Sequence, residues 1–260
     1  MDALGEKWFS QTHAELHPES GAAYEEIAGG VMAYAGIDHP MTQAFGLGLN
    51  GEVTTEEIDR LEDFFRQRGA SANIEVCPLA DESLLRILNE RGYRIAEFSN
   101  VLVKEIDLLA WPTPINETTR VRETIPEEYY VWVEAIARGF SDNRDILPLM
   151  REAGLVFFNQ EYVRTFLVDV EGIVAGGGAM SIYDDIANIF GTSTIQSYRR
   201  RGGQTALIGA CVDVASEASC SLAMATTMCG TISQRNFERH GFRIAYTRCK
   251  LFRDVADLRH

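Results

Sequence analysis

The chain has 260 residues, with 24 Lys and Arg against 38 Asp and Glu, a formal net charge of −14 and a pI near 4.8. So acidic a surface excludes nucleic acid as a main partner, because phosphate contacts need a basic face, and it favours a cationic substrate such as an amine. Hydrophobic content of 46% and charged content of 24% are those of a globular protein, and the length suits two domains of about 100–150 residues.

The N-terminal residues Met1–Glu6 lack a basic region followed by an apolar run, so no signal peptide is expected. No uncharged apolar stretch approaches the ~18 residues of a membrane span, so no membrane partner is expected either. His13 and His17 are spaced i, i+4 and could share a helix face. A metal would need a third ligand, and with none evident no metal site is expected. The five cysteines (Cys77, Cys211, Cys220, Cys229 and Cys249) are scattered, with no Cys-x-x-Cys pair. That pattern suits free thiols in a reducing compartment and places the chain in the cytoplasm.

The segment Leu49–Glu57 precedes a helix with Ile58, Leu61 and Phe65 on one face. Thr54 or Thr55 reads as its N-cap, with glutamates in the first turn. Asn73–Val76 reads as a strand. Then comes Arg91-Gly92-Tyr93-Arg94-Ile95-Ala96-Glu97-Phe98, which returns 149 residues later as His240-Gly241-Phe242-Arg243-Ile244-Ala245-Tyr246-Thr247. The same offset, without a gap, carries Ile58, Leu61 and Phe65 onto Leu207, Ala210 and Val214, and Asn73–Val76 onto Leu222–Ala225. A repeat running through about 40 residues implies two copies of one supersecondary unit. Asp107–Ile115, with Pro112 and Pro114, blocks helix and marks the boundary. The expected domains are 1–110 and 119–260, joined by a linker at 111–118.

The second half begins with a strand at Arg120–Glu123. A helix opens at Pro126–Glu127 and runs through Arg138, with Trp132, Ile136 and Phe140 as its apolar stripe. Asp145–Ala153 is a second helix. Glu161–Val170 and Ile173–Tyr183 form a hairpin around Glu171-Gly172, followed by a strand from Ile186 to Thr194. Tyr198-Arg199-Arg200-Arg201-Gly202-Gly203-Gln204-Thr205 then leads into a helix. Strand, glycine turn and helix start present free backbone N–H groups to a phosphate, and the helix dipole adds positive potential. A solvated arginine run is the plainer alternative. Ser233–Arg239 is a short helix stopped by Gly241, with a strand after it.

At these residues the chain resembles the GNAT superfamily of acyl-CoA-dependent N-acyltransferases. The family's phosphate motif, Arg/Gln-x-x-Gly-x-Gly/Ala, is matched by Arg199-x-x-Gly202-x-Gln204, with Gln in place of the last small residue. Its second motif, a helix ending in Gly-Phe, is matched by Gly241-Phe242. The resemblance covers roughly residues 115 to 256. It implies an α/β fold of two tandem GNAT-like domains, each a mixed, mostly antiparallel sheet flanked by helices.

The resemblance further implies binding of acetyl-CoA, or another acyl-CoA, and acyl transfer to the amine of a small molecule. A homodimer is compatible with the sequence. Arg199, Arg200, Arg201, Gly202, Gly203, Gln204 and Thr205 would cradle the pyrophosphate. Thr192, Ser193 and Thr194 would pair with the pantetheine arm, and Asn236 and Arg239 would reach the pantetheine or the 3′-phosphate. Many relatives protonate the leaving thiolate with a tyrosine at the position of Phe237, and a frequent base position corresponds to Ala225. Neither residue can move a proton, so Ser233 is the candidate catalytic group. A non-catalytic acyl-CoA-binding or regulatory module is the alternative. In the first half, the segment aligned with the phosphate turn has no arginine and three glutamates, so that half is expected to fold alike and bind no CoA.

Overall fold

A computed structural model describes residues 2–107, 118–140 and 147–259. In chain order the first half carries α1 (Asp2–Leu16), β1 (Ala23–Ile27), β2 (Gly30–Tyr34), β3 (Gln43–Phe45), α2 (Thr55–Gln67), β4 (Ala72–Val76), α3 (Glu82–Glu90) and β5 (Arg94–Glu105). The second half carries β6 (Thr119–Glu123), α4 (Tyr129–Phe140), α5 (Leu147–Phe158), β7 (Val163–Val170), β8 (Ile173–Tyr183), β9 (Ile186–Thr194), α6 (Gly203–Glu217), β10 (Leu222–Met228), α7 (Ile232–Arg239) and β11 (Arg243–Arg253). The order from α2 to β5 repeats as α6 to β11. Gly92 and Gly241 both end their helices with positive φ, at 74° and 83°, which only glycine adopts without strain.

Two compact units result, and they do not coincide with the sequence halves. One is Met1–Ser99 with Tyr246–His260; the other is Asn100–Ala245. The last strand of each half crosses over. In the first unit β11 pairs antiparallel with β4, Cys249 opposite Val76 and Arg253 opposite Ala72. Ion pairs fix it there: Arg253 lies 3.0 Å from Glu62 of α2, and Lys250 lies 3.3 Å from Glu75 of β4. In the second unit the end of β5 lies beside β10. Leu102 is buried in that unit's core, and Lys104 Nζ donates to the His240 carbonyl at 2.7 Å. The expected linker at 111–118 lies, apart from Thr118, outside the described residues.

The first unit orders its strands β1-β2-β3-β4-β11, with only β3 and β4 parallel. Ile58, Leu61 and Phe65 of α2 and Leu84 and Leu88 of α3 are buried with Ile74, Val76 and Leu251. The second unit orders its strands β5-β10-β9-β8-β7-β6, with β9 and β10 parallel and the pairs from β6 to β9 antiparallel. Both are mixed sheets flanked by helices, the α/β class the motifs implied.

Three local expectations need correction. The buried face of α6 is Leu207, Ile208, Cys211 and Ala215, not Leu207, Ala210 and Val214. Spacing of i, i+4, i+8 displaces i, i+3, i+7 because a wide apolar stripe spans both rows. Trp132 and Ile136 are buried, but Phe140, at the end of α4, is half exposed, and Val133, Ala135 and Ala137 complete that face instead. The second helix runs on to Phe158, well beyond Ala153. The elements before residue 50 (α1 and β1 to β3) were not read from the sequence.

Candidate functional site

In the second unit β9 and β10 start as neighbours and part. Their parallel pairing runs only from Leu222 opposite Ile186 to Ala225 opposite Ile189, while β9 continues to Thr194 and β10 to Met228. The cause lies in β9. Opposite β8, Ala179 faces Phe190 and Gly177 faces Ser193, so three steps of β9 match two of β8. That extra residue is a bulge, and Gly191 at φ 62° supplies its left-handed corner. The bulge also reverses the alternation of side chains. Ala187 and Ile189 face the α6 core. Ser193 instead donates to the Ile136 carbonyl of α4 at 3.3 Å, while Thr192 turns toward Gln204. A Cβ on Gly139 would sit 2.3 Å from Ser193 Oγ, so glycine is what lets α4 approach β9.

The turn after β9 leads into α6. Arg199 does not project into the gap: its guanidinium donates to the carbonyls of Thr194 and Gly139 at 3.1 and 3.2 Å and ties strand end to helix end. Arg200 adopts a left-handed backbone at φ 65°, which costs a non-glycine residue roughly 1–2 kcal/mol. Arg201 pairs with Glu171 at 3.2 Å, lies over the Tyr198 ring at 5.5 Å and accepts the Thr119 hydroxyl at its carbonyl at 3.2 Å. Gly202 is the N-cap at φ 83°, ψ 0°, and no side chain caps the helix. Its carbonyl accepts the first helical bond, from Ala206 N at 2.9 Å. The N–H groups of Gly203, Gln204 and Thr205 therefore have no carbonyl one turn back.

Gln204 points inward, not at solvent. Its Nε2 donates to Thr192 Oγ1 at 3.3 Å and to Ser233 Oγ at 2.9 Å, and its Oε1 accepts from Asn236 Nδ2 at 2.6 Å. Arg239 donates to Asn236 Oδ1 at 2.9 Å. Of the expected residues, Thr192, Gln204, Ser233 and Asn236 meet at one place, with Arg239 bound to Asn236, whereas Ser193 and Arg199 turn to α4 instead. Phe237 is buried, its ring edge-on to Phe242 with centroids 5.1 Å apart, and Ala225 is buried in the same core. Thr227 lies on β10 beyond the last residue paired with β9. It is buried, and its hydroxyl has no hydrogen-bond partner among the described residues.

Several other polar and aromatic residues of this unit lie elsewhere. Asp184-Asp185 sit in the turn before β9. They lie at the opposite end of β9 from Thr194, and Asp185 accepts from the Ser221 hydroxyl. Tyr183 shares that distant end. Phe157 packs on Phe190 with centroids 5.0 Å apart, and Phe158 packs on Trp132, so both are partly buried packing residues. Cys211 is buried, and desolvation pushes its thiol up to about 12; Cys229 is exposed just after β10. Burial and the neighbouring Lys104 charge lower the pKa of His240, which closes α7 as its C-cap. In the first unit His13 gains a neighbour the sequence did not suggest, His39, with ring centroids 5.8 Å apart. Among the described residues no three His, Cys, Asp or Glu are arranged to hold a metal ion, and no helix is long and apolar enough to cross a membrane.

The residues present fit an anionic ligand that carries amides. The uncapped N–H groups beside Arg200 suit an anion, while the diverging strand edges and the unpartnered Thr227 hydroxyl suit amides. Known proteins point the same way. Residues 121–242 match the model of the Acetyltransferase (GNAT) family. The second half of the chain is a GNAT domain. The first half repeats the helix-strand-helix-strand order of that domain, a tandem arrangement that this chain shares in fold with a solved tandem GNAT protein.

A GCN5-related N-acetyltransferase from Kribbella flavida shares 18% identity, covering 96% of this chain and 94% of its own, with a TM-score of 0.67. A tandem GNAT protein from the clavulanic acid biosynthesis pathway shares 11%, covering 98% and 95%, with a TM-score of 0.64. A GCN5-related N-acetyltransferase from Sphaerobacter thermophilus shares 16%, covering 86% and 79%, with a TM-score of 0.59. At these identities the likeness is one of fold. No curated protein sequence matches the chain.

Proposed function

We propose that the chain is an acyl-CoA-dependent N-acyltransferase, using acetyl-CoA or a close relative, and that it acylates the amine of a small molecule. The observation that carries this reading is the uncapped start of α6 behind a left-handed Gly202, beside a strand whose edge has parted from its neighbour. The N–H groups of Gly203, Gln204 and Thr205, with Arg200, would hold the pyrophosphate. Thr192, Thr194 and the β9 backbone would take the pantetheine amides as an added strand takes a sheet edge. Bound acyl-CoA supplies an acyl group activated as a thioester. A backbone N–H at the β9 bulge would hold the developing oxyanion, a contribution of about 2.7–4 kcal/mol per donor.

Ser233 accepts a hydrogen bond from Gln204 and keeps its own proton to donate, which suits a role in protonating the thiolate. Arg199 acts as a positioning residue for the turn, and Ser193 for the bulge. The net charge of −14 favours a cationic acceptor, and the free thiols suit the cytoplasm.

The second reading, an acyl-CoA-binding or regulatory module without turnover, is favoured by Phe237 and Ala225, which leave the two usual proton-handling positions inert. Thiol release from acetyl-CoA, measured with a panel of polyamines, amino acids, aminoglycosides and peptides, separates the two. Amine-dependent release supports the enzyme. Tight CoA binding with no release on any amine supports the module.

A further inference from the structure

We propose that Gln204 is a latch on the acyl-CoA groove, an internal amide that holds the groove's polar groups until the ligand's own amides replace it. The inference rests on the acyl-CoA reading above and adds a regulatory element to it. It starts from a departure: the position that the phosphate motif gives to a glycine or alanine carries the longest neutral amide side chain. That side chain could have lain in solvent, since it belongs to the first turn of α6. Instead both ends of its amide are satisfied, by residues from two other elements. Thr192 of β9 and Ser233 of α7 take its N–H bonds, and Asn236 of α7 donates to its oxygen. Arg239 fixes Asn236 in turn.

These contacts span β9, α6 and α7, past the last paired residues Ile189 and Ala225. A pantetheine arm carries two secondary amides, each with one C=O and one N–H. The hydroxyls of Thr192 and Ser233 and the amide of Asn236 are able to bind such groups there, and Gln204 engages all three. Exchange of one amide for another keeps the number of hydrogen bonds nearly constant, so the latch can open reversibly. The Thr227 hydroxyl, buried on β10 and without a partner among the described residues, marks a polar position that the latch leaves unserved. In the closed state Ser233 also accepts from Gln204 Nε2, so opening frees its oxygen as well.

The latch makes an unusual demand: removing a polar side chain from the binding groove should tighten binding. Gln204→Gly and Gln204→Ala restore the residue types of the motif. Calorimetry on the intact chain should show CoA binding about tenfold more tightly in both, the worth of about one net hydrogen bond, with a faster association rate in stopped flow. Gln204→Ser, which removes the bridging amide, leaves Thr192, Ser233 and Asn236 in place and suits the first turn of a helix, should tighten binding about threefold and covers the case in which the Gly and Ala variants fold poorly. A merely structural role predicts the opposite, a lower melting temperature and weaker binding together. If the wild type binds CoA and none of these variants binds more tightly, the latch is wrong and the acyl-CoA site stands. If neither wild type nor variants bind at millimolar CoA, the acyl-CoA reading fails and takes the latch with it.

Discussion

Two helix starts occupy matching places in the two halves of this chain, and they solve the same problem in opposite ways. At α2 the chain closes its own N-terminus: the Thr54 hydroxyl accepts from Glu57 N at 3.2 Å, and the Glu57 carboxylate accepts from Thr54 N at 2.9 Å. Glu56 adds a second negative charge to the turn. At α6 a left-handed glycine replaces the cap, no side chain reaches back, and arginines replace glutamates. The two helices share their place in the repeat. What differs is whether the helix's free N–H groups are used up internally. On the proposed acyl-CoA reading, duplication of the fold would carry no duplication of chemistry, because a capping box and an anion compete for the same donors.

The comparison can be broken from several directions. Gly202→Glu gives α6 the charge and the side chain that α2 has, at a backbone angle that only glycine holds without strain. The CoA-induced rise in melting temperature should vanish, and the acyl-CoA KM should rise about 100-fold or more, since a carboxylate there repels the ligand by a few kcal/mol. An unchanged KM removes the turn from the site.

In the first unit the largest expected effect is on stability, not binding. Burial, and then the charge of His13, lowers the pKa of His39 to about 4. The unfolded chain therefore binds more protons between about pH 6.5 and 4. This contribution is complete above pH 6.5 and is lost as pH falls toward 4, by about 1–3 kcal/mol. His39→Asn keeps an acceptor for the Met41 N–H now bound by Nδ1 at 3.1 Å. It should flatten the dependence of the denaturation midpoint on pH over that window; an equally steep profile shows that other groups set it.

Arg199→Ala should raise the acyl-CoA KM about tenfold with a smaller loss in kcat, because the carbonyls of Thr194 and Gly139 lose the group that ties them. Loss of kcat alone contradicts the positioning role. Thr54→Ala is the smallest change, removing one half of the capping box. It should cost about 1 kcal/mol of stability and leave CoA affinity untouched.

Much of this contrast was legible in the sequence, because it depends on local chemistry. Gly202, the arginines around it and the glutamates after Thr54 declare themselves as residue types, and the 149-residue repeat aligns them. What escaped was long-range. The role of Arg199 depends on Gly139, sixty residues away, whose missing Cβ admits Ser193. The bulge had a signal, a lone glycine inside a strand pattern at Gly191, but its consequence, reversing Thr192 and Ser193, appears only with β8 beside it. The crossover of β5 and β11 was hidden because either strand satisfies either sheet by pattern. Partners such as Glu62 for Arg253 and the His240 carbonyl for Lys104 lie far along the chain. Gln204 was visible as a departure from the motif, while its three partners were not.

Calorimetric titration of acetyl-CoA into the intact chain, repeated with Gly202→Glu and Thr54→Ala, tests the central contrast most directly. One site per chain is expected, abolished by the first substitution and unaffected by the second. Two sites, or a single site that survives a glutamate at residue 202, would contradict it.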